Sequence, residues 1–278
     1  MKNPLSRYLK IHVALPQQHG AWVMWAGPLV FGIAVARAFT PALAWLVLAS
    51  LGAFLALQPL TILVKVWAGR RPREEGAPAM LWLSLYGALT LAGVLGLFQQ
   101  GHVWTLALGV LAAPVLVWQM WLVRRREERG QMGVELVGAG VLALNALAGY
   151  GVASGIGFDL RGFVLFALSW LQSATGIVYI YLCLEYRRMR AAPPRDERMQ
   201  LAGRALLYAG ADVVIVLLLG ALGVAPLGAV IAYVFLAGEV VYGGVWKPPV
   251  GARPAAIGIR QTVVTVIFFV LLLIAYLF

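Results

Sequence analysis

Long apolar runs recur along the chain, each closed by a cluster of charges or by glycine and proline. Nine are legible, near residues 21–39, 41–66, 79–98, 103–123, 133–154, 162–186, 203–222, 225–243 and 258–278. Each approaches the roughly 20 apolar residues that a helix needs to cross a bilayer core about 30 Å thick. A helix satisfies its own backbone groups in hydrocarbon. The pattern therefore predicts an all-α polytopic membrane helix bundle of about nine transmembrane helices. The second and sixth runs are long enough to tilt or project past the bilayer, and the first turnaround, Arg37 to Pro41, is tight. The longest polar stretch, Arg187 to Arg204, has 18 residues, too few for an inserted soluble domain. Its centre, 191–198, reads as a loop because Pro193 and Pro194 interrupt a helix. The expectation is one integral membrane domain, 1–278, with residues 1–20 as a cytoplasmic segment. Those residues carry Lys2, Arg7 and Lys10 but no long apolar core, so no cleavable signal peptide is expected.

Composition excludes the soluble classes. Of 278 residues, 62% are apolar and only 12% charged, against about 25% charged in a soluble domain. A soluble enzyme, a disordered tail and a secreted disulfide scaffold are ruled out. The lone cysteine, Cys183, lies within an apolar run and supports neither a disulfide framework nor a Cys-rich metal site. Net charge is +11, and its distribution matters more than its size. With nine spans and the N-terminus inside, every Lys and Arg except Arg37 and Arg161 falls on the inner side. Lys and Arg resist translocation, so the orientation reads N-in and C-out. The basic excess is then a topological signal. Its partner is anionic membrane lipid, not nucleic acid.

A charge at mid-bilayer costs about 2.5–3.5 kcal/mol even on the lenient insertion scale, so ionisable residues inside spans are candidates for function. Asp212 lies about nine residues into the seventh span, with Tyr208 one turn before it. It would bind a proton or cation, orient a substrate, or stand as a protonated acid bonded across helices. Glu239 is nearer the inner end of the eighth span, with Tyr242 three residues on. Glu135 begins the fifth span, where a carboxylate complements the helix N-terminus. Asn145, on a similar face, lines a cavity or bonds to a neighbouring helix. Glycines 133, 138, 140, 149 and 151 allow this span close neighbours and place it inside the bundle. Gln172, Thr175, Tyr179 and Tyr186 share one stripe of the sixth span. That stripe is either the wall of a cavity open to the cytoplasm or packing glue. His19, in Pro16-Gln17-Gln18-His19-Gly20-Ala21-Trp22, is a proton carrier, haem ligand or head-group donor, or else a structural donor. With His12 in the tail and His102 in an outer loop, a zinc site is not expected.

That entrance motif, followed by Pro28 and Gly32, resembles the opening of the YwiC-like family of bacterial membrane proteins. Two later segments are similar to it as well: Gly176-Ile177-Val178-Tyr179-Ile180 running into Glu185-Tyr186-Arg187-Arg188, and residues 253–261. A second resemblance is architectural. Nine spans with large inner loops after the second and sixth look UbiA-like, as in the intramembrane prenyltransferases, which hold prenyl diphosphate through Mg²⁺ on two Asp-rich motifs. This chain departs from that pattern. After the second span its only acids are Glu74 and Glu75, and after the sixth Glu185 is separated by two prolines from Asp196 and Glu197.

The function expected is binding of a lipid, isoprenoid or quinone in a cavity open to the cytoplasm. Arg70, Arg71, Arg187 and Arg188 would face an anionic head, His19 and Gln58 would add polar contacts, and Asn145, Gln172, Tyr179, Asp212 and Glu239 would line the cavity. No cofactor is expected, Mg²⁺ entering only if the chain is a degenerate prenyl or head-group transferase. The rival classes are a small-solute or proton-coupled transporter and an accessory protein of a respiratory complex, the latter with a membrane-protein partner.

Overall fold

The computed structural model describes residue 8 and residues 10–16, 19–127 and 130–278, with His19 by its backbone alone. Among these residues all regular structure is helical. A short helix α1 (Ile11–Ala14) precedes α2 (His19–Ala36), α3 (Ala42–Trp67), α4 (Gly76–Gln99), α5 (Thr105–Arg125) and α6 (Met132–Ser154). Then follow α7 (Leu160–Arg187), α8 (Arg195–Ala221), α9 (Ala229–Val241) and α10 (Pro254–Leu277). A single 3₁₀ turn, Arg73–Glu75, leads into α4, and a π turn, Tyr242–Trp246, closes α9. Each of the nine apolar runs is a helix. Eight are long and apolar enough to cross a membrane, counting the π turn with α9, and Gly20–Ala36 of α2 is a shorter apolar helix. At 18 residues, α2 sits near the lower end of the roughly 17–25 that span a bilayer.

The second-to-last polar loop is shorter than its prolines imply. Residues 195–198 are the first turn of α8, which begins directly after Pro194. Proline disrupts the interior of a helix but is compatible with its start, and Asp196 and Glu197 suit the positive N-terminal end.

Six helices close a ring in the order α2, α6, α7, α8, α9, α10 and back to α2. Helix α7 also touches α2, α9 and α10, which puts it nearest the centre. The α3–α4 pair and α5 flank α6 on the outside. Among the long helices α6 is the most buried and α5 the least. Lipid gives no hydrophobic drive between helices, so close approach and interlocked side chains hold them. Glycine supplies the approach here. A Cβ at Gly32 of α2 would collide with the Ala146 carbonyl of α6, and one at Gly149 would stand 2.8 Å from the Leu29 carbonyl oxygen. Within the ring Phe31, Leu165, Leu168, Tyr233, Leu236, Phe268 and Leu272 pack as one core across α2, α7, α9 and α10.

The two ends of the bundle differ in charge. At one, Gln58 Nε2 donates to the His12 carbonyl at 3.0 Å, Arg70 donates to the Val123 carbonyl and Arg187 Nε to the Ala252 carbonyl at 3.1 Å. At the other, Arg37, in the left-handed region at φ 52°, donates to the Leu277 carbonyl. There Trp104 meets Phe158 edge-on, and Arg161 lies over the Tyr150 and Tyr276 rings. The described basic residues gather at the first end, with Arg37 and Arg161 at the second.

Candidate functional site

The polar interior is concentrated on α7. Of the six buried polar or charged residues among those described, Ser169, Gln172, Ser173 and Thr175 lie within two turns of it, and the others are Asp212 of α8 and Gln261 of α10. Ser169 and Ser173 return their hydroxyls to carbonyls one turn earlier, at 2.8 and 3.0 Å. Gln172 and Thr175 instead reach outward. Gln172 Nε2 donates to Thr265 Oγ1 of α10 at 3.3 Å, and Thr175 Oγ1 donates to Asp212 Oδ2 at 2.6 Å. Asp212 is 3% exposed, so this hydroxyl is part of what replaces its water.

Beside Gln172 a cleft of about 50 Å³ opens where α2, α7 and α10 meet. Its polar wall is Gln172, Ser173, Gln261, Thr262 and Thr265, and its apolar wall includes Val23, Met24 and Ile177. Gln261 is the eighth residue of α10, about 10 Å from the helix start at 1.5 Å per residue. The cleft therefore lies inside the membrane towards the basic end. It has room for a few waters, each needing about 10–15 Å³, and is far smaller than a typical small-molecule site of about 300–1,000 Å³. Among the described residues its lining is neutral: amides and hydroxyls, with no ionised group.

The stripe of α7 faces inward along its length, but only Gln172 borders the cleft. Tyr179 presses its hydroxyl against Gly243, and Tyr186 donates to the Gly244 carbonyl at 2.8 Å. Arg198 Nη1 donates to the Val245 carbonyl at 2.7 Å. These groups clasp the π turn, where backbone bonds of the ordinary helix are interrupted. Tyr179 and Tyr186 of the stripe thus pack against that turn.

Glu239 does not stand alone. Its Oε1 lies 2.7 Å from Arg260 Nε, and that guanidinium lies 5.2 Å from the centre of the Tyr242 ring. Asn145 faces α2 rather than the cleft, with Nδ2 3.4 Å from the Trp25 carbonyl oxygen. Glu135, in the first turn of α6, accepts from Tyr181 of α7 at 3.0 Å, so it ties helices besides matching the helix end.

The arginines expected at a shared anionic head are engaged separately. Arg71 pairs with Glu75 at 2.6 Å, and Glu75 Oε1 also lies 3.6 Å from His12 Nε2. Arg70 is bonded to the end of α5, and Arg187 to the loop before α10. Arg188 is exposed beyond the end of α7. Among the described residues no hydrogen bond or ion pair joins the Arg70–Arg71 group to Arg187 or Arg188. Gln58 serves the α1 backbone. The His19 side chain, expected to give a polar contact to the head, lies outside the described residues, apart from its backbone place as the first residue of α2. Gln17 and Gln18 of its motif lie outside them too.

Sequence reading missed Gln261, Thr262 and Thr265. Their spacing of one and three residues on the last span was the available signal, since it places them on adjoining faces. Nothing local in the sequence links Arg260 to Glu239, 21 positions earlier.

The acids after α3 and α7 do not form the facing carboxylate sets of a Mg²⁺–diphosphate site. Glu75 is held by Arg71 and His12, and no group of three His, Cys, Asp or Glu gathers among the described residues. The arrangement does not fit that metal, and no step through it follows.

Helix lengths, hydropathy and the polar seam of α7 define a multi-pass, all-helical membrane protein. Residues 15–150, a little under half of the chain, match the family model described as YwiC-like protein. The match takes in the entrance motif and α2 to most of α6, and ends before the similar segments at 176–188 and 253–261. No curated protein and no solved structure matches the chain.

Proposed function

We propose that the protein binds a membrane amphiphile of the quinone or isoprenoid class, with an uncharged, oxygen-bearing head in the α2–α7–α10 cleft and the tail in lipid. The observation that carries this reading is the neutral described lining: Gln172, Gln261 and Thr265 present amide and hydroxyl groups inside the membrane, beside Thr262, whose hydroxyl donates to the Gly258 carbonyl at 3.0 Å. Such groups hydrogen-bond a carbonyl or hydroxyl well. A diphosphate would require cations, and the described lining of the cleft has none. The head enters as the helices part, because the cleft at about 50 Å³ is smaller than a quinone ring. In this reading the chain is one integral domain of the bacterial inner membrane, and the basic end with the cleft faces the cytoplasm.

Native mass spectrometry of the gently purified full chain tests this. Wild type is expected to carry one neutral isoprenoid species. Gln172→Leu/Gln261→Leu is expected to lose it, and Arg70→Ala/Arg187→Ala to retain it. Bulk phospholipid alone in all three proteins would overturn the reading. Loss in the arginine variant instead would return the site to an anionic head.

A second reading rests on Asp212, a carboxyl deep in a span whose described partner is one hydroxyl. It makes the protein a proton- or cation-coupled transporter, in which Asp212→Asn abolishes flux through reconstituted vesicles.

A further inference from the structure

The least buried span, α5, leaves a groove against its neighbours. Leu111 and Val115 of α5, Gly140 and Leu144 of α6, and Phe166 and Trp170 of α7 border about 240 Å³ of space with an almost wholly apolar lining. The floor is low because Gly140 has no side chain there. The Trp170 wall is fixed, since its indole Nε1 donates to the Leu136 carbonyl of α6 at 2.9 Å.

Leu111, Val115, Trp118 and Arg125 fall at offsets 0, 4, 7 and 14, one face of α5. The ten residues from Val115 to Arg125 measure about 15 Å at 1.5 Å per residue, half of a hydrocarbon core of about 30 Å. The groove thus lies at acyl-chain depth beneath a run of three exposed cations, Arg124, Arg125 and Arg126. The Arg125 guanidinium lies 4.0 Å from the centre of the Trp121 ring, and that indole is 45% exposed. An amphipathic ring of this kind belongs at head-group level. Glu127, Glu128 and Arg129 follow in sequence, so the segment 124–129 carries four cations and two acids and stays basic. Arg70, bonded to the Val123 carbonyl, anchors this end of α5 to α3.

We infer that this groove is a seat for one anionic phospholipid, its phosphate on Arg124–Arg126 and one acyl chain against Val115, Gly140 and Trp170. Charge and depth select this occupant. The groove is apolar where a chain runs, and the cations stand one leaflet's thickness above it. The site shares no residue with the α2–α7–α10 cleft and does not depend on the function proposed for that cleft.

The test uses the full chain in nanodiscs of equal parts phosphatidylglycerol and phosphatidylcholine, with retained lipids weighed by native mass spectrometry. Wild type is expected to retain one phosphatidylglycerol. Arg124→Gln/Arg125→Gln/Arg126→Gln is expected to lower its preference over phosphatidylcholine by at least roughly tenfold, given the attraction of each basic residue near an anionic surface. Val115→Trp fills the groove, leaves the charges in place and is expected to lose the lipid as well. Arg188→Gln/Arg190→Gln, at the same end but away from the groove, is expected to retain it. Equal retention in the triple variant, unchanged retention in Val115→Trp, or equal loss in the Arg188/Arg190 control would each overturn the site. So would a dimer that Val115→Trp dissolves, because a second copy would then occupy the groove. A lost quinone or isoprenoid differs in mass, so failure here and failure of the cleft reading are distinguishable.

Discussion

At Asp212 a single contact separates structural from functional roles. Its Oδ2 accepts from Thr175 at 2.6 Å inside the bundle, and interhelical hydrogen bonds of this sort in membranes contribute about 0.6 kcal/mol and at most about 1.7. Thr175→Val is therefore expected to lower stability by about that range, read as a shift in detergent unfolding. Asp212→Asn keeps an oxygen for Thr175 and is expected to stay within about 1 kcal/mol of wild type. If Asp212 moves protons, that same variant loses flux while remaining folded. A variant that unfolds instead would make Asp212 a structural acid. Sequence reading singled out this residue because a carboxyl in an apolar run stands out by its cost. Gln261 and Thr265 did not stand out, since neutral polar side chains cost less in lipid and recur throughout the spans. The arginines raise the opposite difficulty. Four charges at two inner loops resembled one site, but whether they meet depends on which helices pack together, and one-dimensional spacing does not carry that.

At the scale of the helix, apolar length was the dependable signal, and it located all nine long elements. It failed where a boundary depended on proline. Pro193 and Pro194 were read as extending a loop through Arg198, whereas Pro194 immediately precedes α8 and its acids occupy the first turn. Burial of α6 was legible in its glycines, because small residues have little reason to recur on a lipid-facing helix. Their partner was not legible. Gly32 and Gly149 let α2 and α6 meet backbone to backbone, and rigid backbone cannot swing aside as a side chain would. Gly32→Leu is expected to force these helices apart and destabilise the fold by about 1–3 kcal/mol, the usual cost of overpacking. Gly87→Leu, where an added Cβ meets nothing within 4 Å, is expected to leave the unfolding midpoint near wild type. Equal losses in the two variants would mean that the α2–α6 crossing is not as close as described.

For the whole molecule, the strongest asymmetry is electrostatic. The tail, the loops after α3, α5, α7 and α9, and the helix segments that flank those loops carry every basic residue except Arg37 and Arg161, and these two are folded onto protein groups at the opposite end. Cations resist translocation, so the basic end is expected in the cytoplasm, and labelling can check this directly. The native thiol, Cys183, is 3% exposed and is expected to stay silent to a bulky reagent in folded protein. Ile156→Cys places a thiol in the loop between α6 and α7, at a position 61% exposed. Arg190→Cys places one in the loop after α7, at the basic end. A membrane-impermeant maleimide is expected to label only the first in intact cells and both after the cells are broken. The reverse pattern would turn the bundle over and open the α2–α7–α10 cleft to the outer leaflet. Its amphiphile would then have to be drawn from that leaflet, and Arg124–Arg126 would face outer-leaflet lipid. Both ligand proposals therefore take their compartment from this one orientation, which makes it the property to measure before either lipid is assigned a source.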